Sequence, residues 1–232
     1  MTDSIIILAG GKSKRWGGEV KYLKEVCGEP VLHRTQRLVA HFRPDADVHT
    51  IGIELQRDNP NEVFALLNNK WSTTGMTYLL LGDVSWMKGS LKRFLDETRP
   101  FVVYGRNGPN QLTGRPHEEI FGFAFNFSQN PHILRIHIDS LLIKGEENQW
   151  DIVVLHDLYR RWRLVYPLLM TAAMLSSKAY WYGVKRLAHR EDHSDFVDVG
   201  EFITDDFDEP EWYEPYCKAV EPERLIDRET PP

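Results

Sequence analysis

The chain has 232 residues, 42% of them hydrophobic, and a formal net charge of −6. That length suits one large α/β domain with a real core better than two small ones, and the acidic balance leaves no basic field to hold a nucleic-acid backbone. Two cysteines, Cys27 and Cys217, are too few for a disulfide framework and lack metal-ligand spacing, so both are expected to be reduced thiols of a cytoplasmic protein.

The elements follow in chain order. The sequence opens without a basic leader or cleavage site, and residues 4–9 (SIIILA) form an apolar, β-branched run ending in Gly10-Gly11, the pattern of a buried parallel strand feeding a loop. Residues 30–42 carry apolar positions at 31, 32, 38, 39 and 42 behind a proline, which predicts a helix. Residues 48–53 alternate as a second strand, and 61–67 resemble a short helix. Residues 77–81 (TYLLL) predict another buried strand that stops at Gly82-Asp83. A helix over 89–98, a strand over 101–104 and a strand over 119–127 come next. The stretches 131–142 and 150–163 give mixed signals. Residues 164–184 are strongly apolar but interrupted by Ser176, Ser177 and Lys178, so they suit a buried helix and not a membrane span. A strand over 195–199 and a helix over 209–219 finish the domain, expected to span 1–221, with 222–232 as a frayed tail. Strand–helix alternation over the first hundred residues argues a Rossmann-like, doubly wound α/β fold with a mixed, mainly parallel sheet.

The segment Leu8-Ala9-Gly10-Gly11-Lys12-Ser13-Lys14-Arg15-Trp16-Gly17-Gly18 lies beyond the carboxyl end of a strand, where α/β sheets bind ligands. Glycines let backbone amides approach phosphate oxygens, and Lys12, Lys14, Arg15 and Lys21 add positive charge. A P-loop ending at Gly11-Lys12-Ser13 needs glycine where Ile6 stands. A dinucleotide fingerprint from Gly10 needs glycine where Lys12 and Arg15 stand. Both fail.

Read together, LAGGKSKRWGGEVKYLKEVCGEPVL resembles the signature of the GT-A-like nucleotidyltransferases, roughly L-A-[GA]-G-x-[SG]-x-R-[ML]-G, then K-x-L, then G-x-P. That superfamily takes in sugar-phosphate nucleotidyltransferases, cytidylyltransferases and the guanylyltransferase of molybdenum-cofactor maturation. Leu8, Ala9, Gly10, Gly11, Ser13, Arg15, Gly17, Lys21, Leu23, Gly28 and Pro30 match in order, while Trp16 replaces the usual Met or Leu. Residues 79–84 (LLLGDV) are similar to the strand whose closing aspartate holds magnesium. Residues 203–213 (ITDDFDEPEWY) are similar to the late I-D-T-P-E-D-L element, with Trp212 in place of its second aspartate.

The resemblance implies transfer of a nucleoside monophosphate from an NTP to a phosphorylated small molecule, a sugar phosphate by preference, with release of pyrophosphate. It implies Arg15 and Lys21 as the catalytic cations, in an expected surface loop. Leu8, Ala9, Gly10, Gly11, Lys12, Ser13, Lys14 and Gly82 would bind the nucleotide. Mg2+, with Mn2+ as an alternative, would be held by Asp83 and Asp208, with Asp206 as runner-up and Asp198 and Asp205 nearby. Asp83 as a plain turn residue and Asp208 as a helix cap are the bland alternatives. Arg106 and Arg115, in a Gly/Pro/Asn-rich stretch, and Glu119 are weaker candidates for gripping the acceptor. His189 and His193 match no zinc template. A molybdopterin guanylyltransferase-like enzyme, a GT-A glycosyltransferase and a non-catalytic nucleotide-binding module stay open. The glycosyltransferase would usually show Asp-x-Asp where this chain has Asp83-Val84-Ser85. No nucleic acid or membrane is expected as partner, and a homo-oligomer is compatible with the reading.

Overall fold

The computed structural model describes residues 2–9, 16–51, 70, 72–99, 101–106, 119–126, 196–198 and 210–229. Strands β1 (Ser4–Leu8), β4 (Asp47–Ile51), β5 (Met76–Leu81), β6 (Phe101–Arg106), β7 (Glu119–Asn126) and β8 (Phe196–Asp198) make one six-stranded sheet ordered β4-β1-β5-β7-β6-β8. β1 pairs in parallel with β4 and β5, and β6 with β8, while β7 runs antiparallel to both its neighbours. Only β7 runs against the rest. This is the mixed, mainly parallel α/β sheet expected from the sequence, and the expected helix 61–67 and the stretches 131–142, 150–163 and 164–184 lie outside the described residues.

Along β1 and β5 both faces of the sheet are buried, as unbroken apolar runs such as SIIIL require. On one face Ile5, Ile7, Tyr78, Leu80, Val102 and Tyr104 form a single cluster with Leu32, Leu38 and Val39 of helix α1 (Val31–Phe42) and with Leu91, Phe94 and Leu95 of helix α2 (Lys88–Leu95). On the other face Ile6, Thr77 and Leu79 are wholly buried.

The antiparallel strand β7 carries small residues where its neighbours carry large ones. Ala124 lies opposite Tyr78 and Val102, and Gly122 opposite Leu80 and Tyr104. The trough so formed is filled by aromatic rings: Trp86 stacks on Phe94 at 5.4 Å, and Phe94 meets Tyr104 edge-on at 4.6 Å. A bulge at Tyr104/Gly105 leaves Phe121 as the extra residue of β7, and its ring meets Trp86 edge-on at 6.2 Å.

Helix α2 ends at Leu95, short of the expected residue 98. The reason is local. The Glu97 carboxylate accepts hydrogen bonds from the backbone N–H groups of Thr98 and Arg99 and from the Arg99 guanidinium, which turns the chain out of the helix. Tyr78 donates its hydroxyl proton to the Glu97 carbonyl, and Tyr104 to the Arg93 carbonyl, so the turn is tied to the two strands that flank β7.

The last helix, α3 (Pro210–Glu229), runs past the expected end at Ala219, so the stretch after Glu221 that reads as frayed is helical backbone to Glu229. Pro222 looks like a stop because it deletes one intrahelical bond. The apolar spacing nevertheless resumes at Leu225 and Ile226. Tyr213, Tyr216, Cys217 and Val220 stand at i, i+3, i+4 and i+7, one face of the helix, and pack with Val26, Val31 and Met87. The buried Tyr216 hydroxyl donates to the Ser85 carbonyl at 3.0 Å.

Two outcomes follow from this packing. A Cβ at position 122 would stand 2.6 Å from the Leu79 carbonyl oxygen and 3.3 Å from the Phe94 ring. Gly122→Ala should therefore lower the urea midpoint by an amount worth about 1–3 kcal/mol, with the slope unchanged; a midpoint that stays put would show that the strands yield freely. The Arg99 side-chain hydrogen bond, with smaller backbone contributions, holds the Glu97 carboxyl at about 2 against an ordinary 4.5. A depressed carboxylate stabilises the fold fully above pH 4.5 and loses that contribution as pH falls towards 2. Glu97→Gln should flatten the stability profile over that window, measured by urea midpoints at several pH values; a wild-type-shaped profile would contradict the assignment.

Candidate active site

The site forms where β1 and β5 end side by side. Leu8 lies level with Leu81 in the parallel register, the Gly82 N–H donates to the Leu8 carbonyl at 2.8 Å, and the Ala9 N–H donates to the Ile51 carbonyl at 2.7 Å. A Cβ on Gly82 would meet the Leu8 carbonyl oxygen at 2.9 Å and Ala9 Cα at 3.1 Å, so only glycine lets the strand ends approach this closely. Leu8, Ala9 and Gly82, expected to contact a nucleotide, are buried. The Leu8 carbonyl and the Ala9 and Gly82 N–H groups are engaged in these bonds. They form the close-packed junction of the two strand ends. Gly10, Gly11, Lys12, Ser13, Lys14 and Arg15 lie outside the described residues.

Asp83 follows Gly82 in the turn beyond β5. The chain returns to it from the other side through a short 3-10 turn, Lys21–Leu23, in which Leu23 and Lys24 donate their N–H groups to the Val20 and Lys21 carbonyls. The hairpin of β2 (Glu25–Val26) and β3 (Glu29–Pro30) continues from it, and Val31 N–H closes back on the Lys24 carbonyl at 3.0 Å. This geometry delivers the Lys21 ammonium to within 3.1 Å of Asp83 Oδ2, with the lysine side chain 7% exposed and the aspartate 27%.

The expected surface position of Lys21 is corrected here. A lysine in a glycine-rich segment reads as solvated, yet the turn folds its stem inwards beside the buried Tyr22 and leaves its charge against Asp83. Lys21 thus carries structural weight as well as any chemical role. Asp83 is more than a turn residue, because it is the ion-pair partner of this buried cation.

Three further groups share the same sheet edge. β6 ends at Arg106, which is buried and lies opposite Glu119 in the β6–β7 register. β8 ends at Asp198, level with Gly105. All three therefore stand at the carboxyl edge of the parallel strands, on the side of the sheet where Asp83 leaves β5. Asp198 was legible only as one of several late carboxylates, since the β6–β8 pairing that brings it to this edge is a long-range contact. Arg115, Asp205, Asp206 and Asp208 lie outside the described residues.

As a cation site, Asp83 offers one partly exposed carboxylate already facing a positive charge, and among the described residues no group of three metal-ligating side chains occurs. A magnesium ion held with phosphates and water needs only one or two protein carboxylates, so Asp83 fits as one of them. No described helix is long and apolar enough to cross a membrane.

The sequence matches no protein-family model, and a search of curated proteins gives no match. Solved structures similar to the chain include a hypothetical transferase from Thermus thermophilus, 17% identical over 86% of this chain and 97% of that one, with a TM-score of 0.42. HddC from Yersinia pseudotuberculosis complexed with GMP-PN is 15% identical over 57% of this chain and 81% of that one, with a TM-score of 0.36. The inositol-1-phosphate CTP transferase from T. maritima is 12% identical over 54% and 71%, also with a TM-score of 0.36. These are distant likenesses. The α/β fold stands on the strand order itself.

The Lys21–Asp83 pair should be strongly coupled in stability. A cycle of Lys21→Met, Asp83→Asn and the double variant should give an interaction of roughly 1–3 kcal/mol, whereas the more exposed Lys24–Glu19 pair should give less than about 1 kcal/mol. Equal coupling for the two pairs would show that burial adds nothing to the first.

Proposed function

We propose that the chain is a nucleotidyltransferase that moves a nucleoside monophosphate from an NTP to a phosphorylated small molecule, preferably a sugar phosphate. The observation that carries this reading is the Lys21–Asp83 pair, set beside the point where the glycine-rich 10–15 segment leaves β1. Opposite charges held at 3.1 Å on the carboxyl edge of a parallel sheet suit a ligand that brings both anionic phosphates and a cation. Lys21 carries a compact charge on a flexible stem, able to swing from a carboxylate to a phosphate oxygen.

In the proposed reaction an oxygen of the acceptor phosphate attacks the α-phosphorus of the NTP. The bond from that phosphorus to the bridging α–β oxygen breaks, and pyrophosphate leaves with the electron pair. Catalysis is positioning and charge neutralisation, with no protein nucleophile. The 10–14 segment would cradle the phosphates, Arg15 and Lys21 would offset charge on the transferring and leaving groups, and Arg106, Arg115 and Glu119 would face the acceptor. Bound Mg2+ or Mn2+ would supply further neutralisation of phosphate charge, held by Asp83 with Asp208 or Asp206. A GT-A glycosyltransferase is disfavoured because the Asp-x-Asp position is Ser85, whose side chain is buried and whose carbonyl is taken by Tyr216.

The test is pyrophosphate release across four NTPs, each with a panel of sugar phosphates and alcohol phosphates. One combination should turn over, and Arg15→Ala or Lys21→Met should lower its rate by about 10²–10³-fold. Melting curves of each variant separate lost chemistry from lost folding. At least one NTP should raise the melting temperature in a concentration-dependent way. Stabilisation by NAD alone, with every NTP silent, defeats the reading.

A further inference from the structure

The only two cysteines of the chain stand 190 residues apart in sequence, and the fold brings them to one corner. The Cys27 thiol lies 3.8 Å from the Cys217 carbonyl oxygen, and both side chains pack against the cluster of Val26, Val31, Met87, Tyr216 and Val220. Tyr213 bridges them. Its hydroxyl donates to the Glu25 carbonyl beside Cys27, and it shares a hydrogen bond with the Cys217 side chain. Burial, with the two nearby thiols adding to it, pushes that phenol up to about 12, so the bridging hydroxyl keeps its proton at neutral pH.

Cys27 also holds an unusual backbone. It sits in the β2–β3 turn with φ 52°, alone among the described non-glycine residues in a left-handed conformation, next to Gly28 at φ 78°. Two successive positive φ angles make the tight hairpin turn that Asn-Gly usually fills. The turn points the thiol at α3, where Cys217 occupies the helix face that covers the hairpin. Both cysteine residues are partly exposed.

We propose that Cys27 and Cys217 are a dithiol modification site, at which a small disulfide oxidant closes an intramolecular cross-link between the β2–β3 turn and α3. The exchange balances with glutathione disulfide as oxidant. One protein thiolate attacks the small disulfide and expels one glutathione thiolate, which takes up the proton that the protein thiol gave. The second protein thiolate attacks the protein sulfur of the mixed disulfide and expels the second glutathione in the same way. Two protein thiols lose two electrons, and one small disulfide gains them. The bond would tie α3 to the hairpin that continues the Lys21 turn. It is independent of the proposed transferase chemistry.

The test uses the full chain incubated with glutathione disulfide, then blocked with an alkylating reagent. The wild type should lose two hydrogens in intact mass, and peptide mapping should find Cys27 joined to Cys217. Cys27→Ser and Cys217→Ser should each carry glutathione on the remaining thiol instead. The cross-linked protein should melt about 5 °C or more above the reduced one, because the bond closes a very long loop. In denaturing urea the same link should form at least about tenfold more slowly, since the unfolded chain no longer holds the thiols together. Persistent glutathione adducts on both wild-type cysteines, links only between separate molecules, or equal rates folded and unfolded would each overturn the proposal.

Discussion

The contact between the ends of β1 and β5 is the constraint from which the rest of the site follows. Leu8 and Gly82 share a hydrogen bond at 2.8 Å, and the missing side chain of Gly82 lets Ala9 pack where a Cβ would stand. That contact fixes two chain departures side by side: the glycine-rich segment leaves from β1, and Asp83 leaves from β5. A parallel pair always sends both chains out at the same edge, so a cation arriving from one can meet a carboxylate carried by the other. Lys21 meets Asp83 because the 16–31 segment doubles back through the 3-10 turn and the hairpin and is clamped from outside by α3.

The sheet behind that edge is covered at its antiparallel strand by aromatic side chains. A single antiparallel strand inserted between parallel neighbours has no crossover helix of its own to cover it. Here the cover comes from Trp86 and Phe94, which lie over the trough left by Gly122 and are flanked by Tyr78 and Tyr104 on the adjacent strands. Trp86 comes only three positions after Asp83, and its carbonyl accepts from the buried Arg34 of α1 at 3.3 Å. The turn carrying Asp83 is therefore pinned at both ends, by Gly82 against β1 and by Trp86 in the aromatic cluster. Tyr216 adds a third fastening at Ser85.

How much of this was legible in the sequence depends on the range of the interaction. The strands at Ser4–Leu8 and Met76–Leu81 and the helix at Val31–Phe42 were readable because their apolar periods are local and strong. The late helix was readable over 209–219, but its extension to Glu229 was not, because Pro222 mimics a stop. Asp83 was legible as a candidate because it closes a buried strand. The burial of Lys21 was invisible, since it depends on Asp83, a partner from another strand end far along the chain. The meeting of Arg106, Glu119 and Asp198 at one edge was equally hidden, because strand order and the bulge at Tyr104/Gly105 are not written in any local pattern. Cys27 and Cys217 make the same point most simply, since counting them excludes a framework and says nothing about adjacency.

The asymmetry of the Lys21–Asp83 pair bears on what such a pair is for. Burying an ammonium is costly, and a buried ion pair often stabilises a fold no better than apolar side chains of the same size. Lys21 is 7% exposed and Asp83 27% exposed, so the carboxylate is the more accessible partner. The carboxylate is partly open to solvent while the ammonium is nearly enclosed. On the nucleotidyltransferase reading this division has a use. The ligand approaches from the open side, where the carboxylate can accept a cation, and a lysine so released has an anionic phosphate to turn to. The two charges exchange partners without either being left alone in a desolvated site, which is the state that would cost most. A surface pair such as Lys24–Glu19, already screened by water, has no such penalty to avoid. On the proposed reading, burial would therefore make the exchange selective for a ligand carrying both signs of charge.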